Sequence, residues 1–150
     1  RGVLFQGQRR AGVLTMPTAY LTRVVEFTAT HRFPQGPEFG AAAHDHSHRY
    51  QCHVTVRGPF DPGRAGVMSL KTLDALLARE IVAPLDGRHI NRDVPAFADG
   101  RWLPTGEALA VYLWERLAGA GGGALPPGVA LHAIRIQEGP HLYSEYRGEA

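Results

Sequence analysis

From His46 to Val56 the chain alternates without a break. His46, His48, Tyr50, Cys52, Val54 and Val56 fall on one side, with mostly polar residues between them. A period of two marks a β-strand with one buried face. A second run, from Tyr20 to Arg32, places Leu21, Val25, Phe27, Ala29 and His31 on one face. The stretch 33 to 45 between them is rich in Pro, Gly and Ala and reads as a loop. The fold must therefore hold two successive strands whose inward rows end in imidazoles.

The remaining elements follow from caps and breakers. Ser69 is a sensible N-cap for a helix that turns Leu70, Leu73, Leu76, Leu77 and Ile81 inward, with Pro84 ending it. After an irregular segment, Thr105 caps a second helix over "PTGEALAVYLWERL". "GAGGGALPPG" is a flexible connection, and strands are expected at 129–138 and 142–147. The order ββααββ predicts an α+β domain: a four-stranded antiparallel sheet with two helices on one face. Such a sheet has two open edges, so pairing between subunits is expected.

The 150 residues suit one domain with one core, and 44% hydrophobic and 20% charged residues are ordinary globular values. A net charge of +2 with scattered arginines gives no nucleic-acid surface, and no apolar run reaches the about 18 residues of a membrane span. Fifteen of the sixteen basic residues are Arg, which with the abundant Ala and Gly suggests a GC-rich bacterial source. A single cysteine, Cys52, excludes an intrachain disulfide and fits a reducing cytoplasm. "LFQG" at 4–7 resembles a picornaviral protease site used in expression vectors. Residues 1–15 are therefore set aside as an expression-tag remnant, and 16–150 are taken as the domain.

Residues two apart on a strand lie about 7 Å apart and point the same way. His46 and His48 can thus converge on one ion, whereas His44, His46 and His48 span too far to share it. His31, ending a neighbouring strand on its apolar face, is the easier third ligand. Three histidines with an open position is the usual arrangement of a catalytic zinc. The competing reading is that strand-end histidines are merely hydrogen-bonded or solvated.

Five ordered blocks carry a wider resemblance: "EFTATHRF", "HSHRY", "GVMSLKTLDALLAREIVAPLD", "DVPAFADGRWLPTGEALAVYLWERL" and "IRIQEGPHLYSEYRGE". Together, from about Tyr20 to Glu149, the chain resembles the 6-pyruvoyltetrahydropterin synthase family, including its bacterial 6-carboxytetrahydropterin synthase relatives. The resemblance implies a T-fold subunit that trimerises into a barrel, commonly as a hexamer, with sites near subunit interfaces. It implies Zn2+ on His31, His46 and His48, and Glu138 anchoring a pterin-like ring with help from Thr105 and Glu107. The residues agree on Glu138, which continues the inward row of Ile134 and Ile136 and would there need donors such as an amidine-like ring edge. Glu138 facing water or an arginine remains open. Thr105 as a plain N-cap and Glu107 as a first-turn acid also remain open.

The chain departs from the family in two places. The cysteine expected before the histidine pair falls on Ala42 or its alanine neighbours, and Cys52 lies within the next strand. Family Leu-Asp-His reads Leu85, Asp86, Gly87, with His89 two residues on. A methyl group accepts no proton. Either His44 or Asp45 supplies a new base, His44 being better matched by its pKa, or the reaction changed and Asp86 with His89 forms the relay. The reading is a zinc-dependent lyase or cyclase, breaking a carbon–oxygen or carbon–carbon bond in a pterin-like or other small oxygenated substrate. The alternatives are an enzyme recruited to a non-pterin carbonyl metabolite and a catalytically silent metabolite-binding homologue.

Overall fold

The computed structural model describes residues 8–10, 13–64, 66–120 and 125–150. The stretch set aside as a tag lies largely outside them, as does the centre of the glycine-rich connection. The backbone of Gln8–Arg10 pairs with Val13–Thr15 in a separate two-stranded ladder. The two alternating runs become long strands, β1 (Thr18–His31) and β2 (His46–Pro59), antiparallel from Thr18 opposite Pro59 to His31 opposite His46. Helix α1 (Leu70–Leu77) follows, then a two-residue strand β3 (Arg88–His89), helix α2 (Gly106–Glu115), β4 (Ala130–Gly139) and β5 (Leu142–Tyr146).

The class is α+β as expected, but the sheet is corrected. It has five strands, in the order β3-β1-β2-β4-β5, and β3 runs parallel to β1. The cause is local. Gly87 takes φ +71°, a conformation that favours glycine, and its N–H donates to the Thr28 carbonyl at 2.7 Å. That turn lays Arg88 and His89 beside Ala29 and Thr30.

Both helix starts are capped as read. Ser69 Oγ accepts from Thr72 N–H at 3.4 Å, and Thr105 Oγ1 accepts from Ala108 N–H at 3.1 Å. The first helix does not stop at Pro84. A π turn over Ala78–Val82 and a further turn, Ala83–Leu85, carry it on. Proline has no N–H to give back along a helix. Arg116 Nε donates instead to the Glu80 carbonyl at 2.9 Å, and it lies 3.1 Å from the buried Glu80 carboxylate. Two further single turns, Ile90–Asp93 and Pro95–Ala98, occupy the segment read as irregular.

The inward rows and the helices make one core. Phe27 and Tyr50 stack with centroids 5.0 Å apart, among Leu73, Leu77, Ile81, Leu109, Leu113, Ile134 and Ile136. Each fully buried leucine or isoleucine contributes about 1.5–3 kcal/mol. Arg23 breaks the inward row of β1 and grips Asp74 of α1 through two hydrogen bonds of 2.7 and 2.9 Å. The other sheet face is polar: Thr22 meets Thr55 at 2.6 Å, and Arg49 and Gln51 both donate to Glu26. Core and register together deliver the ends of β1 and β2 to one place.

Candidate metal and substrate site

Antiparallel pairing sets His31 opposite His46, and His48 opposite Ala29. The small alanine leaves room for the His48 ring to lean toward its neighbours. The three rings lie 4.5, 5.0 and 5.1 Å apart by centroid, and their ligand nitrogens all fall within 4.8 Å of one another. Zinc–nitrogen bonds of about 2.0–2.1 Å at a tetrahedral angle put donors roughly 3.3 Å apart. The difference is small enough for rotation of the half-buried His46 and His48 rings to close.

Hydrogen bonds choose the tautomers. His31 Nδ1 lies 2.9 Å from the Pro104 carbonyl, and His46 Nδ1 lies 2.8 Å from the His44 carbonyl. Carbonyl oxygens only accept, so both Nδ1 atoms carry the proton and both Nε2 atoms present a lone pair. His31 Nε2 is buried and has no hydrogen-bond partner. Such an orphan is costly without a partner, and a cation supplies one. Burial, together with His46, His48 and His89 nearby, lowers the His31 pKa to about 4 despite the Pro104 bond. Burial and His46 lower His48 as well. Buried His31 is therefore neutral at pH 7, as a metal ligand must be. The donor set fits a divalent cation.

The rows place the other half of the site. On β2, Tyr50 follows His48 inward, and on β4, Glu138 follows Ile134 and Ile136, one pleat past the Cys52–Ile136 pair. Tyr50 is fully buried, with its hydroxyl 3.3 Å from His31 Nδ1. Burial first, then Glu138, raises the Tyr50 pKa, so this phenol stays protonated. Glu138 is half-buried; burial and Glu107 push its carboxyl above the usual range, and His46 pulls it back. Thr105, capping α2, and Glu107, in its first turn, therefore stand near Glu138. Close approach explains Gly106: a Cβ there would lie 2.6 Å from Ser144 Oγ and 3.6 Å from Glu138 Oε1.

The residues expected to move protons are placed differently from one another. His44 is exposed, and its carbonyl fixes His46. His89 Nε2 meets Asp45 Oδ1 at 3.1 Å. Asp86 instead accepts the Thr28 N–H at 2.9 Å, so the acid that engages His89 is Asp45, not Asp86. Cys52 is buried in the core and its thiol pKa is pushed up to about 12, which excludes it as a thiolate. The alanine loop is compact, with Phe33 N–H donating to the Ala42 carbonyl at 2.9 Å and Phe33 stacked on Phe39 at 5.2 Å. Tyr50 lay in the alternating row without a role, and Pro104 acts through a backbone atom that no side-chain pattern could announce.

A family model described as 6-pyruvoyl tetrahydropterin synthase matches residues 20–149. Over 140 residues the chain is 37% identical to a 6-pyruvoyl tetrahydrobiopterin synthase of Poecilia reticulata, covering 87% of this chain and 90% of that protein. It is 35% identical over 141 residues to the Homo sapiens protein of the same name, covering 87% and 92%. The structure of Caenorhabditis elegans 6-pyruvoyl tetrahydropterin synthase superposes with a TM-score of 0.78 at 26% identity, covering 91% of this chain and all of that one.

Proposed function

Since the chain belongs to the 6-pyruvoyl tetrahydropterin synthase family, we propose that it is a zinc-dependent lyase acting on a pterin or pterin-like substrate. One observation carries the reading: the buried Nε2 of His31 has no hydrogen-bond partner and stands beside two further imidazoles, with the ligand atoms of the three within 4.8 Å of one another. His31, His46 and His48 would hold the ion. Zinc there would supply Lewis acidity to a substrate oxygen. Glu138, half-buried beside Glu107 and the start of α2, receives the amino-and-imino edge of the ring through paired hydrogen bonds. Thr105 holds the helix start against that carboxylate.

The base is assigned to His44. Among the described residues no hydrogen bond fixes its exposed ring, whereas Asp45 and His89 engage each other and Asp86 is spent on the Thr28 N–H. Subunits associate through the uncovered polar face and the sheet edges at β3 and β5, as a trimer or hexamer with sites near interfaces. Among the described residues no helix is long and apolar enough to cross a membrane, and the reduced, buried Cys52 fits a cytoplasmic protein. The alanines at 41–43 support a second reading, the same metal site serving a non-pterin carbonyl metabolite.

Two measurements decide. Metal analysis should give about one zinc per chain, lost in His46→Ala and His48→Ala; unchanged content in these variants overturns the site. Neopterin or biopterin should bind and be released by Glu138→Gln; indifference to pterins by a zinc-loaded protein transfers the argument to the second reading.

A further inference from the structure

Both strand ends that carry metal ligands are gripped by one short segment. Asn91 brackets the residue after His31: its Oδ1 accepts the Arg32 N–H at 2.9 Å, and its Nδ2 donates to the Arg32 carbonyl at 3.0 Å. His89 holds the residue before His46, with Nε2–H donating to Asp45 Oδ1 at 3.1 Å. The His89 side chain is only 11% exposed, and its own N–H is tied to Asp93 Oδ2 at 2.8 Å. The ring is therefore placed by its surroundings before it touches Asp45. Asp45 also lies 3.5 Å from Arg32 and 3.6 Å from Arg92, which link the two grips.

We infer that His89 and Asn91 are positioning residues that pre-set the His31–His46 separation by clamping Arg32 and Asp45. The inference rests on the histidine triad being a metal site. Neither clamp residue is a ligand. Asn91 touches Arg32 and His89 touches Asp45, and each acts through one peptide step on the neighbouring histidine. Without the clamp, the ion must order the two strand ends itself, and that ordering is subtracted from its affinity. Loss of supporting interactions around metal ligands commonly weakens binding about 10–100-fold.

The geometry also specifies reach. Glutamine at 89 carries an amide donor to about the place of Nε2, whereas asparagine is one methylene short. The experiment measures zinc affinity by chelator competition, together with the visible spectrum of the cobalt-substituted protein, for wild type, His89→Ala, His89→Gln, His89→Asn and Asn91→Ala. Thermal melts of the metal-free proteins are run beside them. Expected are a loss of about tenfold or more in His89→Ala, His89→Asn and Asn91→Ala, a changed cobalt spectrum in each, and recovery to within about threefold in His89→Gln. Should His89→Ala fail to fold, the Gln and Asn pair still decides. Equal zinc affinity in Gln and Asn variants, or losses that merely follow the metal-free melting temperatures, overturns the clamp. A wild type that binds no zinc overturns the metal reading instead.

Discussion

In the metal-free protein, lowering the pH should destabilise the fold through His31. Its pKa falls from the ordinary 6.5 to about 4, chiefly by burial. Between those values the unfolded chain holds a proton that the folded chain refuses, so stability present above about pH 6.5 drains away as pH falls toward 4. One proton is worth about 1.4 kcal/mol per pH unit, which over this window costs about 3 kcal/mol, a large part of a domain's usual 5–15 kcal/mol. His48, also lowered, adds in the same direction. Glu138, raised, opposes it, because the folded state takes up that proton first as pH falls. Glu26 and Asp45 are held low by their partners, so their contributions are lost only at more acid pH. The assay is urea denaturation in chelator at several values from pH 7 to 4, comparing wild type with His31→Gln. The wild-type curve should fall more steeply by about 3 kcal/mol over the window. Parallel curves would refute the claim that His31 is buried as a neutral imidazole.

Arg116→Ala removes one of the two guanidinium groups beside the buried Glu80 carboxylate and the donor that replaces the N–H missing at Pro84; Arg79 still pairs with Glu80, so a loss of about 1.5–3 kcal/mol is expected by denaturation. Gly106→Val forces a side chain into the space of Ser144 and Glu138, and should weaken binding of the proposed pterin by isothermal titration. His44→Ala would delete the proposed base but keep the carbonyl that fixes His46, so metal content should hold while turnover of the proposed pterin substrate drops by about 10²–10⁴.

The parts of this fold legible in the sequence are those with a period. Alternation over 46–56 and 21–31 fixed both long strands, and because each inward row ends in histidine, antiparallel pairing had to bring those histidines together. Ser69 and Thr105 announced their helices by hydroxyl chemistry. Strand β3 had no such signal: two polar residues carry no period, and their place is set by the positive φ of Gly87 and a bond to Thr28. The same glycine stood in the sequence only as an absent histidine. The run past Pro84 depends on Arg116 reaching the Glu80 carbonyl 36 residues back, and the His89–Asp45 pair spans 44. Contacts of that kind come from packing, and local patterns do not contain them.

The carbonyl that holds His31 belongs to Pro104, the residue just before the Thr105 cap of α2. One turn of backbone thus steers an imidazole on one side and, through Gly106, lies against Ser144 and Glu138 on the other. A guest held by Glu138 would press on that turn and so on the imidazole, and cation affinity measured with such a guest present should then differ from that measured without it. By reciprocity, loading the cation must shift the guest's affinity by the same factor.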